Sequence, residues 1–169
     1  FTCETPSIII IVDKLSLYPQ ALYETGLNVM TTATVRTPDV SLSPRVKSMN
    51  YLNNIMARIE SLSAGADEAL MLNTRGFVAE CAGDNIFTIK EHALYTPSVS
   101  SGILRGITRD AVIELAEKNG MSVFEIEMTR HDILNAEECF LTGSAAEIIP
   151  VVKLDGRAIG NGKPGTVTK

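Results

Sequence analysis

Hydrophobic positions along the chain follow two rhythms. Residues 7–12 carry the unbroken aliphatic run Ile8-Ile9-Ile10-Ile11-Val12, which predicts a buried strand. Residues 28–36, rich in Thr and Val, predict a second strand, because β-branched side chains suit a pleated surface. Thr37-Pro38-Asp39 and Ser43-Pro44-Arg45 mark loops, since Pro biases the residue before it away from helix. From Asn50 the period becomes helical, with Leu52, Ile55, Ile59 and Leu62 at helical spacing and Gly65 placed to cap the end. Residues 68–73, 77–82 and 85–90 read as strands, the first two joined by a turn at Asn73-Thr74-Arg75-Gly76. Residues 107–119 predict a second helix with an apolar stripe of Val112, Leu115 and Ala116, ended by Gly120. Residues 122–128 alternate as a strand, and Thr129-Arg130-His131-Asp132 resembles a capping box before a short helix. Residues 138–141 and 148–152 are further strands, separated by a tight polar turn over 142–145. The pattern is that of an α/β or α+β domain with a substantial sheet.

Composition narrows the class. The chain has 169 residues, 45% hydrophobic and 21% charged, which excludes a disordered chain and suits one domain with one sizeable core. No repeat or Pro/Gly-rich linker divides it. A net charge of −5 and a pI near 5.1 leave no basic footprint for nucleic acid or an anionic membrane. The longest aliphatic run is far short of the ~20 residues that cross a bilayer. Cys3, Cys81 and Cys139 are odd in number and widely spaced, which suits a reduced cytoplasmic chain better than a disulfide framework or a metal site. The chain begins at Phe1 without Met or a signal-peptide pattern and stops at Lys169 without a closing element, so a fragment of a longer protein is expected.

Four places can carry chemistry. Lys47, between apolar Val46 and Met49, would be a carbonyl-directed nucleophile if partly desolvated; alone, it reads as a solvated surface lysine. Glu80, among small and apolar neighbours, must face solvent or find a cationic or N–H partner. Leu104-Arg105-Gly106-Ile107-Thr108 opens the second helix with free backbone N–H groups that attract an anion such as phosphate. Thr142-Gly143-Ser144-Ala145-Ala146 is a second small-residue turn able to offer amides and a hydroxyl.

Taken in order, Lys47…Asn50-Tyr51-Leu52, Glu80-x-x-Gly83-x-Asn85-x-Phe87, Gly106-Ile107-Thr108-Arg109 and Thr142-Gly143-Ser144-Ala145-Ala146-Glu147-Ile148 resemble the fold-type IV pyridoxal-phosphate enzymes. Within that group the chain is similar to the large C-terminal domain of the branched-chain-amino-acid aminotransferases, from about Gly26 to Lys169. The resemblance implies a D-amino-acid-aminotransferase-like fold, a mixed sheet or pseudo-barrel with flanking helices. It also implies a single cofactor-binding domain over residues 1–169, without the family's small N-terminal domain and C-terminal helix. The cofactor implied is pyridoxal 5′-phosphate, and no metal is expected.

By the same resemblance, Lys47 forms the Schiff base with the cofactor and shuttles the proton. Glu80 pairs with the pyridine nitrogen, with Asn85 orienting it, and Tyr51 sits near the phenolate oxygen. Leu104 packs on the ring, while Ile107, Thr108 and Ser144 hold the phosphate. Tyr51 and the amides of Ser144 and Ala145 receive the substrate. The activity implied is transamination of L-leucine, L-isoleucine or L-valine with 2-oxoglutarate, by a cytoplasmic homodimer or higher homo-oligomer. A D-amino-acid aminotransferase, an aminodeoxychorismate lyase or an inert fragment are the alternatives; Asn50-Tyr51-Leu52 favours the branched-chain enzymes. Cys81 stands where a small Gly is common, and nothing corresponds to the phosphate-binding arginine of the N-terminal domain, so the chain alone is expected to transaminate little or not at all.

Overall fold

A computed structural model of the chain describes residues 4–169; Phe1 and Cys3, on which two of the expectations above rest, lie outside the described residues. The elements follow in the order α1 (Gln20–Thr25), β1 (Leu27–Thr31), α2 (Leu52–Ser63), β2 (Glu68–Leu72), β3 (Val78–Cys81), β4 (Asn85–Lys90), β5 (Ala93–Pro97), a 3₁₀ turn (Val99–Ser101), α3 (Ile107–Lys118), β6 (Ser122–Ile126), α4 (Arg130–Leu134), β7 (Glu138–Gly143), β8 (Glu147–Leu154) and β9 (Arg157–Ala158). The strands form one nine-stranded mixed sheet in the order β3-β2-β1-β8-β7-β4-β5-β6, with β9 on β8. The β1–β2, β1–β8 and β5–β6 pairs are parallel and the rest antiparallel.

The sheet curls, and its two faces bury different clusters. Leu27, Val29, Leu70, Ile86, Leu141 and Ile149 pack on one face. Phe87, Ile89, Leu94, Val112 and Phe140 pack beneath α3 on the other, where the Phe87 and Phe140 rings stack at 5.1 Å. A central strand buried on both faces needs a near-continuous apolar run, and Ile86-Phe87-Thr88-Ile89, broken only by the buried Thr88, is one. The Thr129 capping box is present, with Thr129 and Asp132 satisfying each other's backbone N–H.

The pattern misleads where it cannot see what an element meets. The expected buried strand over residues 7–12 is not formed: the segment belongs to no sheet and Ile8 to Val12 are 83–93% exposed. An aliphatic run becomes a strand only if a neighbour supplies its hydrogen bonds, and no described strand edge does. β1 ends at Thr31, so residues 32–36 leave the strand early, although Thr32 and Arg36 still donate N–H bonds to Leu70 and Leu72 of β2. α2 docks through Asn54, Ala57 and Ser61, while Leu52, Ile55, Ile59 and Leu62 are exposed. Small side chains let the helix approach Ala69 and Met71 closely. α3 buries Arg109 and Val112, with Ile113 and Ala116 packed alongside, and Leu115 faces solvent. The strand expected over 138–141 runs on to Gly143, so the turn shifts to residues 144–146.

One polar knot sits in the core. The Tyr18 hydroxyl lies 2.8 Å from Glu68 Oε2 and 3.1 Å from Asp84 Oδ2, all three residues buried. One phenol proton therefore serves two carboxylates. Burial, then the Glu68 charge, raises the Asp84 pKa to about 6. Folded Asp84 thus holds its proton more tightly than the unfolded chain, and its contribution to stability falls as pH rises from about 4 to about 6. Asp84→Asn removes that fall, on the order of 2–3 kcal/mol. Thermal melting at pH 4 and pH 7 checks this: the variant's advantage over wild type should grow with pH, and a constant difference contradicts it.

Candidate functional site

Seven of the eight expected site residues line one cleft of about 810 Å³, where the curled sheet meets α2, α3 and the 37–50 loop: Lys47, Tyr51, Glu80, Leu104, Ile107, Thr108 and Ser144. Ala145 follows in the turn and is not among the lining residues. Lys47 lies on the loop that leads into α2 and is exposed, so flanking Val46 and Met49, themselves largely exposed, do not desolvate it.

Glu80 is the electrostatic centre of the cleft. It is buried on β3, where it faces neither water nor an apolar void. Arg36 Nη2 donates to its Oε1 at 2.6 Å; Asn85 Nδ2 and the Leu104 N–H donate to its Oε2 at 3.0 and 3.1 Å. Burial still dominates and pushes the Glu80 carboxyl up to about 7, against the downward pull of Arg36, the Leu104 N–H and the Lys47 charge. Lys47 is therefore close enough for its charge to be felt at Glu80.

Arg36, which carried no special weight in the sequence, is the principal missed residue. Its guanidinium is buried and spans three partners: Nε donates to the Gly102 carbonyl at 3.2 Å, Nη1 to Asn54 Oδ1 at 2.8 Å and Nη2 to Glu80. The partners come from three separate stretches of chain, and no local periodicity encodes such a pairing.

The remaining walls offer hydrogen bonds. The Tyr51 hydroxyl donates to the Ala82 carbonyl at 2.5 Å, and burial, then the Glu80 charge, raises its pKa. Gly106 is the N-cap of the twelve-residue α3 and supplies no side-chain cap, so the first-turn N–H groups are left for another acceptor. A Cβ at Gly106 would collide with Asn85 Oδ1, so glycine leaves room for Asn85 against Glu80. An acidic acceptor for a ring nitrogen, an amine, a phenol and an uncapped helix start thus share one cleft. This donor set fits pyridoxal phosphate, whose aldehyde, ring nitrogen and phosphate call for those chemical types.

Comparison with known proteins places the chain. The family model described as amino-transferase class IV matches residues 1–154. The chain belongs to the class IV aminotransferases. A Methanocaldococcus jannaschii protein inferred to be a branched-chain-amino-acid aminotransferase is 47% identical over 167 residues, covering 99% of this chain and 57% of that protein. The D-alanine aminotransferase of Bacillus licheniformis is 41% identical over 73% of this chain and 44% of its own length. The crystal structure of the branched-chain amino acid aminotransferase from Thermobaculum terrenum, in its PLP-bound holo form, superposes with a TM-score of 0.83 at 39% identity, covering 86% of this chain and 48% of that one. This class IV aminotransferase chain thus has the fold-type IV architecture, a curled mixed sheet forming a half-barrel, and spans about half the length of the curated relatives it matches.

Proposed function

We propose that this chain is the cofactor-binding domain of a cytoplasmic pyridoxal-phosphate-dependent transaminase. In this reading the whole protein, a homo-oligomer, transfers the amino group of L-leucine, L-isoleucine or L-valine to 2-oxoglutarate. The carrying observation is the meeting of Lys47 with the buried Glu80–Arg36 pair in one cleft. Likeness to branched-chain enzymes supports the substrate class.

Lys47 would supply the amine that condenses with the cofactor aldehyde, releasing water, and once displaced by the substrate would carry a proton between the substrate α-carbon and the cofactor. Glu80 accepts the hydrogen bond of the protonated ring nitrogen and keeps that proton in place, a charge-assisted contact worth roughly 1.5–3 kcal/mol. Tyr51 would present its hydroxyl near the phenolate oxygen of the cofactor, and Leu104 would pack against the ring. The first-turn amides of α3 at Ile107 and Thr108, with the Thr108 and Ser144 hydroxyls, hold the phosphate, and the turn at Ser144 and Ala145 receives the substrate carboxylate. The bound cofactor contributes an electron sink for the carbanion formed when the α-proton leaves.

The 41% identity to a D-alanine aminotransferase sustains a second reading, transfer from a D-amino acid. Assay of the whole protein with L-leucine, L-valine and D-alanine against 2-oxoglutarate separates the two. Turnover of the L-substrates is expected; activity confined to D-alanine overturns the substrate class, and none with any amino acid overturns the transaminase reading.

A further inference from the structure

Tyr51 and Asn54 lie three residues apart at the start of α2 and so share one helix face. Asn54 is buried, and both ends of its amide are engaged. Its Oδ1 accepts from Arg36 Nη1 at 2.8 Å, and its Nδ2 donates to the Ala82 carbonyl at 2.7 Å. The partners fix which end is which, because a guanidinium only donates and a carbonyl only accepts. The Ala82 carbonyl receives the Tyr51 hydroxyl as well, so both its lone pairs are used.

We infer that Asn54 is a positioning residue of this cleft: its amide holds the Arg36 guanidinium against Glu80 and, from its other end, the Ala82 carbonyl that receives Tyr51. One side chain of α2 thereby aligns the carboxylate and the phenol together. Neither leucine nor serine reproduces this. Leucine fills the space without polar contact, and the serine hydroxyl is too short to span from the helix to both partners. With Asn54 gone, Arg36 loses one of its three anchors and is held less firmly on Glu80. The carboxylate then loses part of the cationic contact that opposes its burial, and it binds its proton more tightly. The inference leans on the proposed function only for what the aligned groups act upon.

The test is a ¹³C-carboxyl NMR titration of the cofactor-free chain, with the Glu80 resonance assigned through Glu80→Gln, on wild type, Asn54→Leu and Asn54→Ser. Binding of pyridoxal phosphate is followed in parallel by absorbance. Both variants are expected to raise the Glu80 midpoint by about one pH unit and to weaken cofactor binding about tenfold. A midpoint unmoved in both, with only a lower melting temperature, reduces Asn54 to a structural role and overturns the inference. If Asn54→Leu does not fold, the uncharged and smaller Asn54→Ser decides by the same readings. If wild type fails to bind the cofactor, the functional reading fails, and the Glu80 midpoint still judges Asn54.

Discussion

Lys47→Ala is expected to cut amino-group transfer by the whole protein at least about 10³-fold, because it removes both the covalent partner of the cofactor and the proton carrier. Lys47 is the only amine among the described residues lining the cleft, so nothing nearby substitutes. The side chain is exposed on a loop and engages no described residue by hydrogen bond or ion pair. Its truncation should therefore change stability by less than about 0.5 kcal/mol. Steady-state rates together with thermal melting check both halves. Turnover within tenfold of wild type would remove Lys47 from the chemistry, and a collapsed melting curve would show that the loss came from folding.

Glu80→Gln separates function from stability in the opposite direction. A neutral amide cannot keep a proton on the ring nitrogen, so transfer should slow by about 10²-fold or more. Stability should move the other way. The Glu80 carboxyl titrates at about 7 in the folded chain, against an ordinary value of 4.5. The folded state therefore binds this proton more tightly than the unfolded one. Wild type loses stability relative to the variant as pH rises from about 4.5 to about 7, on the order of 3 kcal/mol, and the loss is complete above that range. Melting curves at pH 4.5 and 8 should show the variant gaining on wild type. That outcome marks Glu80 as a charge retained for function at a cost in stability. An unchanged transfer rate would take Glu80 out of the site.

Much of this was legible in order of residues. β4 and the helices at 52 and 107 follow from apolar period and from their punctuation, and Thr129 announces its helix through a local hydrogen-bond pattern that needs no tertiary partner. The chemistry-bearing residues were also visible, and seven of eight line the same cleft. What stayed hidden depends on partners remote in sequence. Arg36 meets Glu80 across 44 positions and Tyr18 meets Asp84 across 66, and neither pairing has a period. The aliphatic run at 8–12 and the exposed stripe of α2 fail for a related reason. Periodicity reports that a segment has an apolar face, not that another element of the chain lies against it. Ala57, small and inconspicuous in the pattern, is what α2 buries, because close approach to β2 selects for size.

The central claim is that Lys47 and Glu80 belong to one pyridoxal-phosphate site, and covalent capture tests it most directly. The 169-residue chain is mixed with pyridoxal phosphate, its visible absorbance recorded, and the mixture reduced with borohydride and mapped by mass spectrometry. A yellow species with the reduced adduct confined to Lys47, weakened in Glu80→Gln and absent in Lys47→Ala, is the predicted result. Labelling spread over other lysines, or unaltered by loss of Lys47, would contradict it.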